Sequence, residues 1–222
     1  MLHLYDHRTG RAEELPPGPV RVHVQGGAER ALVTADLLRR VADRGRLHPT
    51  VTRSADARPR HGAAGELSVP EFEVRDAAPD GALLVGPDEP DARSLVVPPE
   101  DGAWPVPSAD EDDVLCVRLA MLRARYRDPV DVAALLPAAR DDLARWRGLI
   151  AQWAEGPGRP IARAYAAEAE AAFADDLDSP AALTVLDRLA DDPGVQPGAK
   201  LETFINLDLI LALNLVADIG RR

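Results

Sequence analysis

The chain has 222 residues, of which 46% are hydrophobic and 28% charged, a balance that excludes global disorder and allows one large domain or two small ones. The formal net charge of −11 sets the chain on average against a phosphate backbone, so nucleic-acid binding would need a local basic patch. The single cysteine, Cys116, excludes an intramolecular disulfide and a cysteine-rich zinc site, and no apolar run approaches the ~20 residues of a bilayer span.

Aromatic residues are only 4%, so the core is expected to be Leu, Val and Ala, which suits helices. The opening "MLHLYDHRTG" has neither a basic n-region nor an apolar h-region, which predicts a cytoplasmic protein. His3 and His7 lie on a probable strand, where a spacing of four does not bring side chains together as a helix would, so both are expected at the surface. "VRVHV" (20–24) alternates Val20, Val22 and Val24 against Arg21 and His23, the pattern of a half-buried strand with His23 solvated. "QGG" (25–27) is a turn. The run 28–45 then sets Leu32, Ala35, Leu38 and Val41 at helical spacing and ends at Gly45, a fitting C-cap.

"PTVTRS" (49–54) is the next strand, completing a strand–helix–strand unit that is right-handed if the strands are parallel. "ALLVG" (82–86) and "SLVVP" (94–98) are two further short strands. The Pro-, Gly- and Asp-rich stretch after them reads as a linker ending near residue 109. From there the pattern is helical. A helix over roughly 111–126 has little polar face, and Cys116 belongs to its apolar side as a small core residue. Leu136, Ala139, Leu143, Trp146, Ile150 and Trp153 recur at alternating steps of three and four, a seam for antiparallel helices. Gly156-Pro157-Gly158 ends that helix. Others follow through Ile161, Tyr165, Ala169 and Phe173, through 179–190 and through 200–216, giving five helices and a bundle. The expected fold is a reduced Rossmann-like parallel-sheet domain over 1–109, then an antiparallel helical bundle over 110–222.

"FADDLDSPAALTVLDRLADD" (173–192) is the most distinctive stretch. Physically it reads as a helix start, with Ser179 as N-cap, Pro180 at the first helical position and Asp178 beside the positive end of the dipole. Asp175 and Asp176 close the preceding helix as solvated turn acids. The same stretch resembles the acidic turn that joins two helices in the C-terminal bundle of cysteinyl-tRNA synthetases. "DVLCVRLAMLRARYRDPVDV" (113–132) is similar to the segment after that family's signature lysine loop, "FINLDLILALNL" (204–215) to a later bundle helix, and "LHLYDHRTGRAEEL" with the strand at 20–24 to the synthetase opening. "ADLLRRVADRG" (35–45) looks like the helix that follows the catalytic loop. The five stretches occur in the family's order and cover most of 1–52 and 110–216. Residues 55–107 match nothing in it. The ending near residue 216, with no anticodon-recognition domain, is closer to the related cysteine:glucosaminyl-inositol ligase of mycothiol synthesis.

The resemblance implies ATP-dependent activation of cysteine, yet the residues for it are missing. Gln25 stands where the first zinc ligand is expected, and an amide is a poor zinc ligand, so no metal is expected. The His-Ile-Gly-His element has no room between Gln25 and Arg30. Gly26-Gly27 is a tight turn or an anion cradle at the following helix start. Lys200 is the sole lysine, so the lysine loop expected before residue 110 is absent with its phosphate-stabilising cations. In "TVTRSAD", Arg53 sits where an Asp is expected and Asp56 alone could match. No catalytic residue is therefore assigned and no cofactor is expected, although a residual nucleotide or cysteine pocket would use Gln25, Gly26, Gly27, Arg30, Thr52 and Asp56. Arg118, Arg123, Arg125 and Arg127 form a basic cluster with two readings: contact with tRNA or a partner, which the resemblance suggests, or pairing with Asp110–Asp113 and Asp128, which charge balance suggests. Two functions stay open, a non-catalytic binding or scaffold protein and an ATP-dependent cysteine ligase with a remodelled site. Exposed strand edges predict a homodimer or a stable protein partner, with Trp146 and Trp153 of the seam read either as interface or as intramolecular bundle core; weak or absent tRNA binding and no membrane association are expected.

Overall fold

The structure, a computed structural model, describes residues 1–16, 18–58, 67–89, 92–100 and 111–221, with backbone alone for 111–113. The expected boundary at 109/110 lies outside these residues. Seven strands and six helices are present among them: β1 (His3–Asp6), β2 (Arg11–Glu14), β3 (Arg21–Val24), α1 (Glu29–Arg44), β4 (Thr50–Arg53), β5 (Glu73–Val74), β6 (Leu83–Gly86), β7 (Ser94–Val96), α2 (Glu111–Leu122), α3 (Val132–Trp153), α4 (Arg163–Ala174), α5 (Ser179–Asp191) and α6 (Pro197–Leu211). No helix among the described residues is long and apolar enough to cross a membrane.

Strands β1 and β2 form an antiparallel hairpin. The other five make one parallel sheet in the order β5-β4-β3-β6-β7. This is a Rossmann-like arrangement: the chain runs outward on one side from β3, returns, and runs outward on the other side from β6. Val22, Val51 and Leu83 lie in register, as do Val24 and Val85, and α1 packs across β3, β4 and β6. The expected strands at 20–24, 49–54, 82–86 and 94–98 and the helix at 28–45 are all present within two residues at either end. His23 corrects one expectation. It is 2% exposed, with Nδ1 2.9 Å from Thr52 Oγ1. The alternation of residues 20–24 suggested a one-sided strand, but β3 is the central strand of a parallel sheet, and such strands are covered on both faces.

The second half is a helical bundle. All six residues of the seam from Leu136 to Trp153 are buried, and Trp146 and Trp153 meet Phe204 of α6 edge-on at 6.2 and 5.4 Å. Cys116 is buried in α2, as expected. Three helix limits differ. Helix α2 stops at Leu122 because the carbonyls of Ala124, Arg125 and Asp128 turn out of the helical ladder to accept from Arg30. Ile161 precedes α4 and is 38% exposed. Helix α6 begins at Pro197 and breaks at Ala212, which takes a left-handed conformation while Asp208 accepts from Leu213 N and Leu215 N, both at 2.8 Å. Lys200, 8% exposed, donates from Nζ to Ala190 O at 2.7 Å and lies 5.6 Å from the Trp153 ring centroid. It thereby satisfies a carbonyl in the last turn of α5.

The acidic turn also differs in detail. Asp178 is the N-cap of α5, accepting from Ala181 N at 3.1 Å, and Ser179-Pro180 forms the first helical turn. Asp175 does cap the end of α4. Asp176 is no solvated turn acid: it is 4% exposed and accepts from Tyr5 N at 2.8 Å and Tyr126 OH at 2.6 Å. It therefore ties β1, the end of the α2 segment and the bundle together. A single apolar cluster runs from Leu2 of the hairpin through the sheet and α1 to Leu215, so the two halves share one core.

Candidate functional site

In an open parallel sheet, ligands bind outside the carboxyl ends of the strands where the connections diverge. Here that point lies between β3 and β6, at the Gln25-Gly26-Gly27-Ala28 turn and the amino end of α1. The strand ends are drawn together: Gln25 N–H donates to Val85 O at 3.0 Å. Gly86 has φ +152°, and a Cβ there would overlap the Gln25 carbonyl oxygen. Gly26 has φ +78° and packs against Pro87. Both glycines are required by this close approach.

Several donors at this point are already engaged. Ala28, the N-cap position of α1, offers no side-chain acceptor. Instead Glu100, 7% exposed, places Oε1 3.2 Å from Glu29 N and Oε2 3.3 Å from Arg30 N. A carboxylate thus sits at the first turn of α1, where a helix dipole and free N–H groups favour an anion. The carboxylate of Asp56 accepts from the Ser54 hydroxyl, and that bond first, with the nearby backbone N–H groups of Asp56, Ala57 and Gly26, holds its pKa below the usual range. The side-chain amide of Gln25 donates to Glu89 Oε1 at 3.1 Å. Nearby, His7 lies 2.8 Å from Asp88 and 3.4 Å from the Ser94 carbonyl, and it is half-buried.

Of the residues expected in a residual pocket, Gln25, Gly26, Gly27 and Asp56 come together here. Two do not. Arg30 is 1% exposed and donates to the carbonyls of Ala124, Arg125 and Asp128; burial brings its pKa down to about 10. Thr52 is 2% exposed, bonded to His23 and donating to Val22 O at 3.4 Å. Both serve packing between elements. Glu100 and Glu89 were missed by sequence reading because they lie in Pro- and Asp-rich stretches with no periodicity. The only cue was a helix start, Gly26-Gly27-Ala28, with no capping side chain of its own.

The arginine cluster divides. Arg118 is wholly enclosed, donating to Leu211 O at 2.7 Å, Leu67 O at 2.9 Å and Asp36 Oδ2 at 2.8 Å. Such a group has no surface to offer tRNA or a partner. Burial of Asp36 opposes its ionisation, but Arg118, Arg40 and Arg39 outweigh that and hold its pKa down. Arg123 pairs with Asp142, Arg125 with Asp178, and Arg127 lies 3.4 Å from Asp176 and 4.5 Å over the Tyr5 ring. These three are partly exposed. The described partners are therefore acids of the bundle and of α1, not Asp128; the side chains of 110–113 lie outside the description. Among the described residues no three His, Cys, Asp or Glu side chains gather as a metal site requires.

No family model matches the chain. Over 108 residues it is 37% identical to an L-cysteine:1D-myo-inositol 2-amino-2-deoxy-alpha-D-glucopyranoside ligase of Nocardiopsis dassonvillei, covering 46% of this chain and 26% of that protein. The ligase of the same name from Streptosporangium roseum is 36% identical over 110 residues, again covering 26% of its length. A cysteine–tRNA ligase of Brucella ovis is 42% identical over 73 residues, 32% of this chain and 14% of the ligase. The chain is thus related, over a third to a half of its length, to cysteinyl-tRNA synthetase-like proteins, and it matches about a quarter or less of each relative.

Proposed function

We propose that this chain is a non-catalytic, cytoplasmic relative of the cysteine ligases that works as a binding or scaffold protein. The observation that supports this reading is the closed carboxyl end of the sheet. The N–H groups of Glu29 and Arg30 and the amide of Gln25 are held by the chain's own Glu100 and Glu89, and the Asp56 carboxylate stands beside Gly26. An incoming triphosphate would have to displace the buried Glu100 carboxylate and face the charge of the exposed Asp56 and Glu89. The sequence adds to this: no lysine precedes Lys200, and each lost transition-state contact costs roughly 3 kcal/mol. On this reading the protein is a homodimer or holds a protein partner, requires neither zinc nor ATP, and meets tRNA weakly if at all, through Arg123, Arg125 and Arg127.

Cysteine-dependent ATP–pyrophosphate exchange tests the central claim. The expected result is a rate equal to the no-enzyme control. Exchange above that control, lost when Gly26 and Gly27 are substituted, would overturn it. Sedimentation equilibrium and pull-down from native lysate test the partner, a clean 23.9 kDa species with nothing captured being the adverse outcome. The second reading, an ATP-dependent cysteine ligase with a remodelled site, draws on the names of the partial relatives, both of which join cysteine to an acceptor. The same exchange assay decides between the two.

A further inference from the structure

A cavity of about 430 Å³ lies at the other end of α1, away from the closed crevice, where the hairpin and the bundle meet. Its apolar walls are Leu2 and Leu15 of the hairpin, Val41 and Leu47 around the end of α1, Phe173 of α4 and Ile210 of α6. Two of the charged side chains that line it, Arg44 and Glu170, are paired with each other. Arg44 donates from Nε and Nη2 to Glu170 Oε1 at 2.9 and 2.6 Å, and from Nη2 to Asn206 Oδ1 at 2.7 Å. Glu14 lines the cavity too and is exposed at its mouth.

We propose that this cavity is a binding site for a small, uncharged, largely apolar molecule, aromatic or branched aliphatic, seated on the seam between the two halves of the chain. Its size falls in the range of small-molecule sites, which favour such junctions. Its apolar walls gain contacts from an occupant that water cannot supply. A charged ligand would give up its hydration against mostly apolar walls, with Arg44 and Glu170 already paired. This inference is independent of the function proposed above.

The test uses the full chain and probes of one skeleton: toluene, benzyl alcohol, benzylamine and benzoate, titrated by ligand-observed NMR. Saturable binding of toluene and benzyl alcohol is expected, with the amine and the carboxylate at least roughly tenfold weaker. Ala174→Phe, which fills the cavity from α4, is expected to abolish binding, and Leu15→Phe fills it from the hairpin should the first variant lose its fold by circular dichroism. No saturable binding of the neutral probes by the native chain would overturn the proposal. So would charged probes binding as tightly, or undiminished binding by a folded filling variant.

Discussion

Two carboxylates, Asp36 and Glu100, are both buried against α1 and do opposite kinds of work. Asp36 lies in the middle of the helix among Arg118, Arg39 and Arg40, and its charge is answered by cations. Glu100 lies at the amino end and takes backbone N–H groups. The first joins α1 to α2 and the bundle. The second occupies a position where a ligand's anion would otherwise bind. Substituting Asp36 therefore tests a scaffold, and substituting Glu100 tests a vacancy that the chain has filled for itself.

The largest expected effect is at the scaffold. Asp36→Ala leaves Arg118 buried without its partner and should cost about 3–5 kcal/mol in urea denaturation. The double variant Asp36→Leu with Arg118→Met should lose clearly less, because neither charge is then stranded. If the double variant is as unstable as the single, the pair is not what joins α1 to α2. At the other end of the comparison, Glu100→Ala removes the carboxylate that caps α1 and should cost roughly 1–2 kcal/mol. Glu100→Gln, which keeps an accepting oxygen, should lose less. A Glu100→Ala variant as stable as the native chain would show that the contact is not a cap.

The sheet between these two carboxylates supplies a pH test. Burial holds the pKa of His23 below its ordinary 6.5. Its contribution to stability is therefore fully present above pH 6.5 and is lost as pH falls from there through the lower folded value, because the unfolded chain takes the proton first. His23→Gln should flatten the stability profile below that pH, and an unchanged slope would place the titration elsewhere. The smallest effect is a control. Arg188 and Glu168 pair with both side chains about half exposed, so Arg188→Ala should change stability by less than about 1 kcal/mol.

These centres differ in how far they could be read from the sequence. Periodicity located α1, the seam of α3 and the strands of the sheet, since each is set by neighbours in the chain. Asp36 and Arg118 are 82 positions apart, and each taken alone is an ordinary charge on a helix. Glu100 follows two prolines in a stretch whose composition is that of a linker, and only the folded chain brings it to Glu29. His23 sits on an alternating strand whose second face gains its cover from tertiary packing. The turn at 175–178 was legible as a family likeness and as a helix start, but Asp176 was not legible as an acceptor for Tyr5 and Tyr126. Local patterns fix elements; which polar groups meet is fixed by topology.

One small feature has a practical side. Among the lysines and arginines every residue but one is an arginine, and that one, Lys200, is held under Trp153 with its ammonium on the Ala190 carbonyl. Amine-directed reagents such as activated esters therefore meet a single side-chain target, and it reacts only when the α5–α6 packing opens. The rate of acylation at Lys200, followed by peptide mass spectrometry, is a built-in clock for the breathing of the bundle, and it needs no label to be introduced.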